Sequence, residues 1–214
     1  MRNFMVVLAC SGLLLAGCGE KAEQLKKQID AAQQLAGKGE EMEKSMNEAE
    51  EIYNERVAKG DTVVIPYKDL QAYLPQSIGG YRPEGEPSGS QQSMPGFSIS
   101  QAEQNWVGES NEAARISVKI VDYGGTKGAY SMSPLSLSMM ISSEDDHQRT
   151  GPLKLDVPTT AGMSTFKKDN KSATVIVGTR YRYLITLQAD GGEDDQTGML
   201  AALATDIAKK FEGK

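Results

Sequence analysis

The chain has 214 residues, with 29 Asp and Glu against 23 Lys and Arg and a net charge of −6 at neutral pH. The bases form no cluster, which argues against nucleic acid and against electrostatic binding to anionic lipid as partners. One histidine, two cysteines confined to the first 18 residues and 6% aromatic residues leave a zinc site, a disulfide framework, a Ser-His triad and a stacked sugar cleft without their usual parts.

Arg2, the apolar run from Phe4 to Leu15 and the small residues after it have the three parts of a secretory signal. That run is too short for a membrane span, which needs about 20 residues. Leu15-Ala16-Gly17-Cys18 resembles the lipobox of bacterial lipoproteins. The resemblance implies cleavage after residue 17 and lipid on Cys18, so the membrane is the first partner. Two or more acyl chains give stable anchoring where one does not. Gly19, where the family's inner-membrane retention signal is Asp, points to an outer membrane facing a periplasm if the cell has one. Cleavage takes only Arg2 from the charged residues, leaving the mature chain one unit more acidic.

Residues 18 to 60 form the lipidated start and a helical spacer. Leu25, Ile29, Ala32 and Ala36, then Met42, Met46, Ala49, Tyr53 and Val57, recur at three- and four-residue steps. Glu23 with Lys27, Glu40 with Lys44 and Glu55 with Lys59 add favourable i, i+4 pairs. Gly37-Lys38-Gly39 shifts the phase, which predicts a kink or two helices in series. A straight helix over this stretch is about 58 Å long. Three roles compete for this segment: a stalk, pairing with copies of itself or a partner, and folding back onto the domain. The thin, alanine-rich stripe favours a stalk or weak packing, with weak self-association, over a specific coiled coil.

Residues 61 to 214 read as one α+β domain, with an antiparallel sheet and a packed C-terminal helix. Val63-Val64-Ile65 is a strand candidate, Tyr67 to Leu74 one or two helical turns, and Gly79 to Gly89 a loop. Phe97 to Val107 and Ile116 to Ile120 alternate as a hairpin. Met132 to Ile141 is the most unusual composition in a chain with ten methionines. Leu135, Leu137, Met139 and Met140 there are candidate binding residues as an apolar lip, against the plainer reading of core packing. His147 ends an acid-rich run read as a solvated loop. Ala173 to Val177 and Tyr181 to Ala189 pair across a turn at Gly178-Thr179-Arg180. Asp190 to Asp195 lacks the spacing of a calcium loop, and reads as a turn starting the last helix. In that helix Met199, Leu203, Ile207 and Phe211 stack, flanked by Leu200 and Ala204.

This order is similar to the PsbP-like and DcrB-like fold of some bacterial envelope lipoproteins. The likeness rests on Leu74-Pro75, Gly80-Tyr81, Gly96-Phe97-Ser98-Ile99 and the closing helix, over residues 62 to 212. It implies a fold and no activity. No P-loop, nucleophile elbow or dinucleotide motif occurs, so catalytic residues, metal ligands and cofactors are all read as none. The expected function is binding, as an accessory or scaffold subunit of the cell envelope with an unidentified protein partner. The alternatives are a carrier of a small apolar ligand and a hydrolase built on two carboxylates.

Overall fold

The computed structural model describes residues 43–44, 47–48, 50–94, 97–124, 142–192 and 194–212. The chain divides into units 1–39 and 40–214, and every described residue belongs to the second. Residues 50 to 58 are helical, in keeping with the spacing of Tyr53 and Val57.

The next elements are a single helical turn, α1 (Tyr67–Leu70), continued by a 3₁₀ turn (Gln71–Tyr73), and then two short strands, β1 (Tyr81–Pro83) and β2 (Ser88–Met94). Two long strands follow, β3 (Phe97–Gly108) and β4 (Arg115–Asp122). Beyond residue 142 come β5 (Ser143–Glu144), β6 (Gln148–Leu153), β7 (Thr160–Lys167), β8 (Ser172–Thr179), β9 (Tyr183–Asp190) and the helix α2 (Thr197–Lys209). The nine strands make one sheet in the order β1-β3-β4-β9-β8-β7-β6-β5, with β2 also on β3. All their pairings are antiparallel.

Period-two alternation sets which face is buried. Ala102, Ile120, Ile185 and Val177 form one cross-strand row, and Gln104, Val118, Leu187 and Val175 the next. Every apolar member of these rows is fully buried. Against this face lie Leu200, Ala204, Ile207 and Ala208 of α2, with Phe211 just beyond it. Phe211 stacks between Tyr73 at 4.5 Å and Tyr183 at 4.0 Å, which joins the 3₁₀ turn, the helix end and the sheet. Lys210 Nζ donates to the carbonyls of Tyr73 and Leu74, at 3.0 and 3.4 Å, and fixes the same corner.

Several sequence expectations change here. Val63-Val64-Ile65 is not a strand: Val64 is buried, but the Ile65 amide donates to a side chain, Asp122, rather than to a ladder. The Gly79–Gly89 loop contains β1 and the start of β2, which cover the outer edge of β3 in series. The acid-rich stretch carries β5, β6 begins directly after His147, and β7 is a further strand beyond the expected ones. The polar sequences of β5 and β6 show little alternation because these two strands lie at the sheet's margin. The apolar stripe of α2 is rotated towards Leu200, Ala204 and Ala208, leaving Met199 and Leu203 only half-buried.

Candidate functional site

Asp122 occupies an inward position at the end of β4, in register with Tyr183. A carboxylate there must be paired or its burial is heavily penalised. Arg182, leading into β9, supplies the pairing. Its Nε donates to Oδ1 at 2.7 Å and its Nη2 to Oδ2 at 2.9 Å, a two-pronged fork. The Gly124 and Ile65 amides donate to the same two oxygens, each at 2.8 Å. Asp122 is fully buried and Arg182 is 6% exposed.

The pair extends outwards. Arg182 Nη2 also donates to the Val63 carbonyl at 2.9 Å, and Nη1 to Asp61 Oδ1 at 2.8 Å. Arg56, from the helical segment, donates through Nε to Asp61 Oδ2 at 3.3 Å. Its Nη2 reaches the carbonyls of Asp61 at 3.0 Å and Gly124 at 2.8 Å. The result is an alternating chain, Arg56–Asp61–Arg182–Asp122. Burial tends to raise the Asp61 pKa, but the charges and hydrogen bonds of Arg182 and Arg56 outweigh it and hold the carboxyl below its ordinary value. Burial likewise disfavours charge on Arg182, and Asp122 reverses that, raising its pKa above normal. The guanidinium also lies 5.0 Å from the centre of the Tyr183 ring.

Gly124 lets this guanidinium in. A Cβ on Gly124 would stand 2.9 to 3.0 Å from Arg182 Nη2, Cζ and Nε. A side chain and the fork therefore compete for one space.

A cleft of about 350 Å³ opens beside the chain of charges. One wall is Ile52, Glu55, Arg56 and Lys59 of the helical segment; the others are Asp61, Thr159, and Arg180 with Arg182. Lys59 Nζ pairs with Glu55 Oε2 at 3.4 Å. The Arg180 side chain makes no hydrogen bond or ion pair among the described residues, and it is half-buried.

The hairpin holding Arg180 is turned tightly. Arg182 N donates to Thr179 O at 3.2 Å, closing a β-turn with Arg180 and Tyr181 at its centre inside the three-residue connection between Thr179 and Tyr183. Their φ angles are +54° and +49°, left-handed values that glycine or Asn adopts at lower cost. Thr159, whose carbonyl accepts from Arg180 N at 2.9 Å, has φ +51°. Two non-glycine residues in a disfavoured conformation, Thr159 and Arg180, thus line the cleft, a kind of strain that clusters at functional sites. The expected turn at Gly178-Thr179-Arg180 is displaced towards Arg182, because Gly178 and Thr179 remain paired within β8.

The described lining of this cleft includes Glu55, Lys59 and Arg180, which the sequence places only in a helix pair and a turn, and none of the candidate site residues. Cys18, Leu135, Leu137, Met139 and Met140 lie outside the described residues. His147 is exposed beside β6, its Nδ1 3.0 Å from Asp169 Oδ2. Among the described residues no group of three or more His, Cys, Asp or Glu is placed to hold a metal ion. Asp195 accepts from the amide and hydroxyl of Thr197 at 2.9 and 2.7 Å, starting α2 as expected. The signal overlooked was positional: Ile116, Val118 and Ile120 put Asp122 on the apolar parity of β4. A charge at such a position calls for a buried counter-charge.

No protein-family model matches the chain, and neither the curated proteins nor the solved structures contain a match.

Proposed function

We propose that this is a lipid-anchored cell-envelope protein, held to a bilayer through Cys18, which acts by binding as an accessory or scaffold subunit. The guanidinium-lined cleft is its recognition site. The observation that carries the binding half is the fixed chain Arg56–Asp61–Arg182–Asp122, which leaves the neighbouring cation Arg180 unanswered at an open cleft. Donors held by their own hydrogen bonds recognise a ligand without having to be ordered first. The anchoring half rests on Leu15-Ala16-Gly17-Cys18 and the signal before it. The PsbP-like and DcrB-like likeness, the helical spacer and a location on the outer membrane belong to the same reading. A carrier of an apolar ligand ranks behind it, because the Tyr73–Phe211–Tyr183 stack fills the corner where helix meets sheet.

Cell fractionation tests the anchor. The native protein is expected in the membrane pellet, and Cys18→Ser in the soluble fraction. A serine variant that still pellets with membranes overturns the anchoring. In-cell photo-crosslinking from position 52 on the cleft wall, which leaves every cation of the site in place, set against a site on β1, tests the cleft. Products specific to position 52 support the recognition site, and equal labelling from both positions counts against it.

A further inference from the structure

We infer that the cleft binds a phosphate oxyanion of low charge, either a phosphodiester headgroup or free phosphate. This inference rests on the reading of the cleft as a recognition site, and it names the ligand's chemistry. The first support is a tally of charge. Asp122 answers Arg182, Asp61 answers Arg56, and Glu55 answers Lys59. Arg180 alone on the lining has no counter-charge among the described residues. One unanswered cation suits a ligand with about one negative charge.

The second support is the supply of N–H groups. Arg56 uses Nε and Nη2, so both hydrogens of Nη1 lack a partner among the described residues. Arg182 Nη1 spends one hydrogen on Asp61 and keeps one. Arg180 adds a whole guanidinium from the hairpin tip. These donors come from separate elements on different walls. A planar carboxylate is satisfied by one fork, whereas a tetrahedral phosphate presents oxygens to several donors at once. The strained backbone is the third support. The φ of +54° at Arg180 is kept with a residue that suits the turn poorly but supplies a cation.

The test is isothermal titration calorimetry of the full chain in neutral detergent at constant ionic strength. The titrants are inorganic phosphate, glycerophosphoglycerol as a soluble phosphodiester headgroup, and acetate. Saturable binding of at least one phosphate compound, tighter than acetate, is expected. Arg180→Asn should weaken it about tenfold, the loss expected for one charge-assisted hydrogen bond. Arg180→Lys should retain part of the affinity. Lys59→Ala, at the exposed end of the helical segment, should lower it less, and Arg82→Ala on β1 not at all. Binding of the diester alone assigns a lipid headgroup, and binding of inorganic phosphate assigns a soluble ligand. Heats that do not saturate, acetate binding as tight as phosphate, or full affinity in Arg180→Asn would each overturn the inference. None of these results depends on the anchor, and site-specific crosslinking at position 52 would leave the recognition reading standing after such a failure.

Discussion

Arg182 has one way of being buried at low cost, and Asp122 provides it. Removing one member of a buried ion pair leaves the other charge uncompensated, a loss of about 3–5 kcal/mol. Arg182→Met is therefore expected to lower unfolding free energy by that amount in a urea titration. Replacing both residues by apolar ones is often harmless elsewhere, but here it should recover little. Asp122 also accepts from the Ile65 and Gly124 amides. Each buried amide left unpaired costs about 1–3 kcal/mol. Gly124→Ala attacks the same fork from the other side. Its Cβ would sit within 3.0 Å of a guanidinium that four carboxylate and carbonyl oxygens hold in place. Overpacking of that kind costs about 1–3 kcal/mol, so a lowered melting temperature is expected for a substitution that removes no contact.

At the scale of the element, the β8–β9 hairpin is where local preference and structure disagree. Left-handed φ costs an L-residue about 1–2 kcal/mol, less for Asn. Arg180→Asn is therefore expected to raise stability by up to about 1 kcal/mol, measured as the urea midpoint at unchanged slope. The same change should weaken phosphate binding about tenfold, and opposite signs in the two measurements separate a site kept under strain from a merely awkward turn. This hairpin also marks how far the sequence could be read. β3, β4, β8, β9 and α2 were legible because each has one apolar face, in strict alternation or at helical spacing. β1, β2, β5 and β6 were not, because at the margins of the sheet backbone pairing holds them with little apolar burial. The site was hidden for a different reason. Its members lie on the helical segment, at residue 61, at the end of β4 and in the hairpin, and only pairing β4 with β9 brings Asp122 beside Arg182. Position on the apolar parity of β4 marked Asp122 for a partner, and nothing local identified which of the bases it was.

For the whole molecule, the chain of charges matters because of what it joins. Arg56 and Asp61 belong to the segment entering the domain, whereas Asp122 and Arg182 belong to the middle of the sheet. The outer edges of the sheet need no such clamp: β1 and β2 cover β3, and the other edge ends in a two-residue strand, short enough to discourage edge-to-edge pairing. The entering segment makes its link through Asp61, whose carboxyl is held below the usual carboxylate range by Arg182 and Arg56 against the opposing effect of burial. A depressed carboxylate stabilises the folded state above its unfolded pKa, about 3.9, and that stabilisation disappears as pH falls towards the folded value. Protection of the amides of residues 56 to 65 from hydrogen exchange is therefore expected to hold from neutral pH to about 4 and to fall below it. Salt should weaken the effect, since Asp61 is partly exposed. Asp61→Asn should loosen the same amides already at neutral pH while leaving those of β8 and β9 protected. Equal protection of residues 56 to 65 in that variant and the native chain would mean that the entering segment is held by something other than these charges.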